Sequence, residues 1–292
     1  MLTLKLKFFD SKFMKLFSVA PKSAKIMVII GAVIDVVLIL FIIFGPFISP
    51  FDPLEMGEII LEPPSITHFM GTDSLGRDLF SRLIVGTKYS LGISLIAVGF
   101  SLIIGLILGS ISGFFGGPID RVLTLVMDSL YAFPSFIFVL IIAVVLGPGI
   151  FQTAFAISFG RIPWNFRMIR SLTLSVKERG FIEAERVIGA SNWYIIKNHV
   201  APYFISILFV TISLGMARGT LAVSGLGFLG LGIPPPAPEW GTELATGRMF
   251  LLSGSWWLVV FPGLFVLLAM LGFNLLSEGL DTVINPTMRR LR

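Results

Sequence analysis

The 292 residues are 55% hydrophobic and only 13% charged, with a mean hydropathy of +0.93. A soluble domain carries about 25% charged residues, so one soluble globular domain is excluded and the chain reads as an integral membrane protein. The formal net charge of +5 fits membrane orientation and makes no case for nucleic acid, and the absence of cysteine removes disulfides and thiol chemistry.

The chain opens on LTLKLKFFDSKFMKLF, with Lys5, Lys7, Lys12 and Lys15, followed by Lys22 and Lys25. This tail either lies on the inner membrane surface or is disordered. A hydrocarbon core ~30 Å thick calls for ~20 apolar residues in a helix. Runs of that size at 26–48, 89–115, 122–146, 150–169, 203–231 and 256–276 predict six transmembrane helices. They are continuous rather than alternating, so helices are expected and not the strands of a barrel. The first run is too long for a signal peptide and no A-x-A site follows it, so an uncleaved span is expected. The fourth is interrupted by Arg161 and Pro163.

Between the first two runs, SPFDP, EPPS and HFMGTDSLGRDLFSR mark a turn-rich segment, with a short helix expected to start at Asp78 to Arg82. Gly105, Gly109 and Gly113 put small residues on one face of the second span, where two helix backbones can approach. The loops GFFGGPIDR and LGPG are short, which implies antiparallel neighbours. Lys and Arg set the orientation. The basic tail, the loop with Arg170, Lys177, Arg179, Arg186 and Lys197, and the end with Arg289, Arg290 and Arg292 all fall on one side if six spans cross. Both termini are therefore expected in the cytoplasm. The expected division is a basic tail (1–25), a first transmembrane helix (26–48), an extracytoplasmic segment (49–87), a core (88–280) with a cytoplasmic loop at about 171–202, and a cytoplasmic tail (281–292).

No G-x-x-x-x-G-K-[ST] cradle for phosphate is present, and no H-E-x-x-H. The two histidines, His68 and His199, fall on opposite sides of the membrane in this topology, so no metal site is expected. Asp35, Arg161 and Arg218 are the candidate intramembrane or pathway charges. Arg218 sits near mid-span, where a charge costs about 2.5–3.5 kcal/mol on insertion scales. It either pairs or snorkels, or it faces a water-filled path. So few charges are sparse for a gradient-driven carrier, and the chain reads as a pathway without a motor. A water-accessible surface must then receive the push. The loop GFIEAERVIGASNWYIIKNHVAP has the form: a helix in which Phe181, Ala184, Val187 and Ile188 share helical spacing, a bend at Gly189, and a second helix capped by Ser191.

EAERVIGASNWYIIKNHVAP resembles the EAA loop of ABC-importer permeases. Glu183, Ala184, Gly189 and Pro202 stand at that pattern's spacing, whereas Glu185, His199 and Ala201 replace its second Ala, its Ile and its Leu. HFMGTDSLGRDLFSR and GFLGLGIPPPAPEWGTEL are similar to two further stretches of the C-type permeases of dipeptide, oligopeptide and nickel importers. Val223 and Gly227 depart from that family, which often has an acid and a Ser there.

The resemblance implies an all-α type I importer permease in a bacterial or archaeal inner membrane, forming half of a translocation path for peptides. Oligosaccharide or nickel import is the alternative within the family. It implies a B-type permease partner, two ABC ATPases that bind ATP and Mg, and an extracytoplasmic binding protein. The chain itself is expected to bind no cofactor and to be no enzyme. Glu183, Ala184, Glu185, Gly189 and Pro202 would belong to the ATPase-coupling loop. Asp73, Arg77 and Asp78 would touch the binding protein or pair among themselves, and Trp240 would be an interfacial anchor or a contact. A stand-alone gradient-driven carrier is the competing class, and a membrane enzyme lacks the cluster of groups it would need.

Overall fold

We describe residues 16–284 from a computed structural model of the chain. The basic residues Lys5, Lys7, Lys12, Lys15, Arg289, Arg290 and Arg292 lie outside the described residues. Ten α-helices order the rest: α1 (Lys22–Ile48), α2 (Leu79–Phe115), α3 (Gly117–Tyr131), α4 (Ser135–Leu146), α5 (Ile150–Lys177), α6 (Gly180–Val187), α7 (Asn192–Ile195), α8 (Ile205–Phe228), α9 (Trp240–Gly247) and α10 (Trp257–Ile284).

By length and composition, α1, α2, α8 and α10 can each cross a membrane. The α3–α4 pair adds a fifth candidate if the two form one bent span. The first candidate is the most exposed: Ile26, Ile29, Ile30, Val33 and Val36 of α1 all point outward, as a face against hydrocarbon does. α5 spans 28 residues, about 42 Å at the helical rise, but carries Arg161, Arg167, Arg170 and Lys177.

Two elements differ from expectation. The run at 122–146 is not one helix. It breaks at 132–134, and α3 and α4 meet at 89°. Pro134 is the cause: it has no N–H to donate into the preceding turn, and it disfavours helical geometry at Phe133. The second helix starts at Leu79 rather than near Tyr89, because Asp78 caps it, its Oδ2 accepting from the Ser81 N–H at 2.8 Å. The expected short helix at Asp78 to Arg82 is thus the first turn of α2.

The three-glycine face of α2 packs on α5. A Cβ at Gly109 would lie 2.8 Å from the Phe166 carbonyl oxygen, and one at Gly113 2.7 Å from Thr173 Cβ. One at Gly105 would collide with Asn165 Cβ. Ser101 and Asn165 hydrogen-bond across the same seam at 3.2 Å. A second close seam joins α1 to α10, where a Cβ at Gly31 would lie 2.6 Å from the backbone nitrogen of Leu276. Lipid gives no hydrophobic drive between helices, so such backbone-to-backbone contact is the main source of cohesion.

The segments 49–78 and 229–256 cover one end of the bundle, where Trp257 Nε1 at the start of α10 donates to the Thr72 carbonyl at 3.2 Å. The 178–204 segment covers the opposite end, where Trp193 meets Phe115 at the end of α2.

The seam makes a direct prediction. Gly109→Leu must push α5 away and is expected to cost about 1–3 kcal/mol. Gly99→Leu, with open space around its Cβ, is expected to stay within about 0.5 kcal/mol. Thermal unfolding of the two purified variants in detergent compares them.

Candidate functional site

A cavity of about 520 Å³ opens between α4, α5 and α8 and the end of α3. Tyr131, Phe136, Trp164 and Leu221 contribute to its walls, and Arg161 and Arg218 supply its charge. Among the described residues, no acidic side chain lines it. Arg161 packs on α8, where a Cβ at Gly215 would lie 3.2 Å from its Nη2. Its Nε is buried without a hydrogen-bond partner, and Arg218 lines the same cavity. The acids of α3 are engaged elsewhere. Asp128 binds Arg167 at 2.6 Å, and Arg167 also covers the Tyr131 ring at 4.2 Å. Asp120 binds Arg170 through both oxygens, at 2.5 and 2.6 Å, and accepts from Ser112.

Of the three intramembrane candidates, the structure therefore brings Arg161 and Arg218 together and leaves Asp35 apart. Asp35 is buried in the α1–α10 seam against Gly272, and neither of its oxygens has a partner. Arg218 faces a like charge, not an acid on a neighbouring helix.

The covered end holds a buried ionic network. Asp73 accepts from Arg77 Nε at 2.7 Å, and Asp78 meets His68 Nδ1 at 2.9 Å. Of the expected trio Asp73, Arg77 and Asp78, all buried, Asp73 and Arg77 pair with each other while Asp78 pairs with His68 and Ser81. Trp240 is a correction: it is no interfacial anchor but is fully buried, its Nε1 donating to the Leu83 carbonyl at 3.0 Å. Beside it Glu239 caps α9, accepting from the Thr242 N–H and from Ser90 Oγ at 3.0 Å each. Burial pushes the Glu239 carboxyl up from its usual range, and these donors pull it back.

The sequence reading missed the tie that joins this cap to α2. Arg82 donates to Glu243 Oε1 at 2.6 Å and to the Pro53 carbonyl at 2.6 Å, wholly buried. The signal was the pairing of a buried Arg with an acid 161 positions away, which no local pattern carries.

At the opposite end, α6 is anchored by Ile182, which is buried among Phe114, Ile169, Ile195 and Val200. Arg179 lies over the Tyr203 ring at 4.7 Å and Arg186 over Phe114 at 5.4 Å. Glu185 Oε1 is 3.2 Å from His199 Nε2. Gly189 has φ +84°, the left-handed geometry expected of a helix end, and the Ala190 N–H closes the turn on the Glu185 carbonyl at 3.0 Å. Ser191 Oγ then caps α7, accepting from the Tyr194 N–H at 3.3 Å. The chain passes through a π turn (Ile196–Val200) and a 3-10 turn (Ala201–Phe204) holding Pro202 before α8 begins.

The helical spacing of Ala184, Val187 and Ile188 marks an outward face, not a buried one. Val187 is 86% and Ile188 78% exposed, with Glu183 and Ala184 exposed beside them. A helix tied down on one side thus presents an apolar, acid-edged strip on the other.

Residues 105–290 match the family model described as "Binding-protein-dependent transport system inner membrane component". The chain belongs to that family. Curated relatives agree with the assignment. The probable D,D-dipeptide transport system permease protein DdpC of Escherichia coli (strain K12) is 37% identical over 258 residues, 88% of this chain and 86% of that protein. The dipeptide transport system permease protein DppC of Alkalihalophilus pseudofirmus is 37% identical over 262 residues, 89% of this chain and 86% of its own. The glutathione transport system permease protein GsiD of Pectobacterium atrosepticum is 33% identical, covering 90% of this chain and 88% of its own. Among solved structures, a chain of the inward-facing MetNI methionine ABC transporter aligns with a TM-score of 0.51 at 16% identity, over 68% of this chain and 95% of that chain. That likeness shows the permease fold of this family in the described helices.

For this permease, breaking the Arg82–Glu243 pair by Arg82→Gln is expected to cost about 3–5 kcal/mol, since a buried carboxylate is left alone. Replacing both partners with Met and Leu should recover only part of it, because Arg82 also serves Pro53 and lies 3.8 Å from Asp73. Unfolding midpoints of the three variants measure this.

Proposed function

We propose that this permease subunit forms half of the path of an ATP-driven importer of peptides, and that the 180–202 segment couples it to ATPase subunits. The observation that carries the coupling is α6. It is held by Ile182 on the ends of α2 and α5 while Glu183, Ala184, Val187 and Ile188 face outward. An apolar strip rimmed by charge, at the end of a bundle with no phosphate cradle of its own, is a surface for docking on another protein. Gly189 sets the exit of the helix and Pro202 the turn into α8, while Glu185 Oε1 lies 3.2 Å from His199 Nε2.

The rest of the assembly follows from the same reading. A B-type permease completes the path, two ABC ATPases bind ATP and Mg, and an extracytoplasmic binding protein delivers the cargo. Peptide cargo is supported by the names of the dipeptide relatives, with oligosaccharide or nickel as the alternative. The proposed site is the inner membrane of a bacterium, with both termini cytoplasmic and α5 as the sixth span, its charges facing protein and cavity rather than lipid.

Reconstitution of the assembled complex in proteoliposomes tests the coupling. Glu183→Lys is expected to lower ATP-dependent uptake about tenfold or more, by reversing a charge at a docking surface. Gly189→Asn should keep coupling and Gly189→Val should lose it, because a β-branched residue is strained at positive φ. Unchanged uptake and ATPase stimulation in Glu183→Lys and Gly189→Val would rule the coupling role out. Uptake by the single chain without ATPases would favour a stand-alone carrier.

A further inference from the structure

We infer that Arg161 and Arg218 form a transient carboxylate-binding site inside the membrane, which engages the free C-terminal carboxylate of the transported peptide. The inference rests on the proposed importer role and names the chemistry that selects cargo within the permease itself.

The two arginines stand at one depth. Arg161 is eleven residues, about 16 Å, from the start of α5, and Arg218 is ten residues, about 15 Å, from the end of α8. Those two helix ends meet, since the Gly149 N–H donates to the Gly232 carbonyl at 3.1 Å. Both guanidiniums therefore reach the cavity near the middle of the bundle.

Two cations at mid-membrane with no acid between them are costly. In a structural role, each would be expected to hold a carboxylate. The acids of α3 are already taken by Arg167 and Arg170, and Asp35 lies in a different seam. Arg161 Nε is buried without a partner, so no acid of the described residues neutralises this guanidinium, and both arginines line the cavity. A guanidinium fork matches a carboxylate through two parallel hydrogen bonds.

The remaining walls fix the class of cargo. A volume of about 520 Å³ falls within the ~300–1,000 Å³ of small-molecule pockets. Phe136, Val139, Ile157 and Leu221 make much of it apolar. Such walls accept side chains of many shapes, and the charged pair reads only the feature that every unmodified peptide carries. A divalent metal cation would meet two positive charges and no ligand oxygen from an acid. A neutral oligosaccharide would leave both cations unmatched. The geometry therefore favours a carboxylate-bearing cargo over both alternatives.

The test uses the complete transporter, with its binding protein, in proteoliposomes. A dipeptide and its C-terminal amide are compared at saturating binding protein, for the unmodified complex and for the double variant Arg161→Gln, Arg218→Gln. The binding protein is identical in both, so the ratio of the two acid-to-amide preferences isolates the permease. A charge-assisted hydrogen bond predicts that the variant's preference for the acid falls about tenfold, while Arg161→Lys with Arg218→Lys, keeping charge but not the fork, retains part of it. If the double variant does not reach the membrane, Arg218→Gln, whose side chain is exposed, carries the test with a smaller fall in the same ratio. An unchanged ratio overturns the inference. So does an equal loss for acid and amide, the signature of a partner acid or a bound lipid phosphate, and either leaves the importer role standing. No ATP-dependent uptake of either peptide by the unmodified complex would instead remove the importer role itself.

Discussion

The close approach of α2 to α5 holds the rest of this structure in place. Inside a bilayer, two helices gain little from hiding apolar surface, since lipid is as apolar as a leucine. They cohere where backbones touch, and Gly105, Gly109 and Gly113 provide that contact over three turns. The seam decides where α5 lies, and α5 carries both working parts. Arg161 in its middle faces the cavity, and its far end feeds into α6 through residues 178 and 179. Asn165 and Ser101 add a hydrogen bond in the same plane, which fixes the rotation of α5 and hence the direction of Arg161.

The two ends of the bundle solve opposite problems. The covered end buries three ionic pairs: Arg77 with Asp73, Arg82 with Glu243, His68 with Asp78. Buried pairs of this kind add little net stability but are expensive to break, so they act as a geometric lock between the 49–78 segment, α2 and α9. The opposite end keeps its charges at the surface and leaves Val187 and Ile188 uncovered. The cavity between them holds two arginines with no acid among the described residues that line it. A cost of this size inside the bilayer marks a place where a ligand or a partner completes the structure.

What could be read in the sequence was local. The three glycines report a close seam because spacing alone places them on one face. Gly189 and Ser191 report a helix end and a cap because a positive φ and a side-chain acceptor are properties of single residues. The bend at 132–134 was hidden, because Pro134 sits inside the apolar string AFPSF and the hydropathy never falls. Trp240 was misplaced at an interface because a Trp among prolines looks the same in sequence whether its ring faces lipid or the Leu83 carbonyl. The Arg82–Glu243 tie and the facing of Arg161 and Arg218 depend on which helices pack together, which no single stretch of sequence specifies.

The packing links the proposed coupling segment to the cavity. Residues 178–204 connect α5 to α8, so the two arms that leave this segment each carry one arginine. Arg161 is about 24 Å up one arm from Lys177, and Arg218 about 20 Å up the other from Ile205. α5 is bound along α2 by the glycine seam, and α8 packs both on α2, where Ser94 Oγ donates to the Met216 carbonyl at 3.3 Å, and on α10 through the bond from Ser277 to the Val210 carbonyl at 3.1 Å. In the proposed coupling, a displacement of α6 loads both helices, α5 through α2 and α8 through α2 and α10, at the place where they face each other. That place is the cavity. For the inferred carboxylate site, the separation of the two guanidiniums is the quantity such a movement would change.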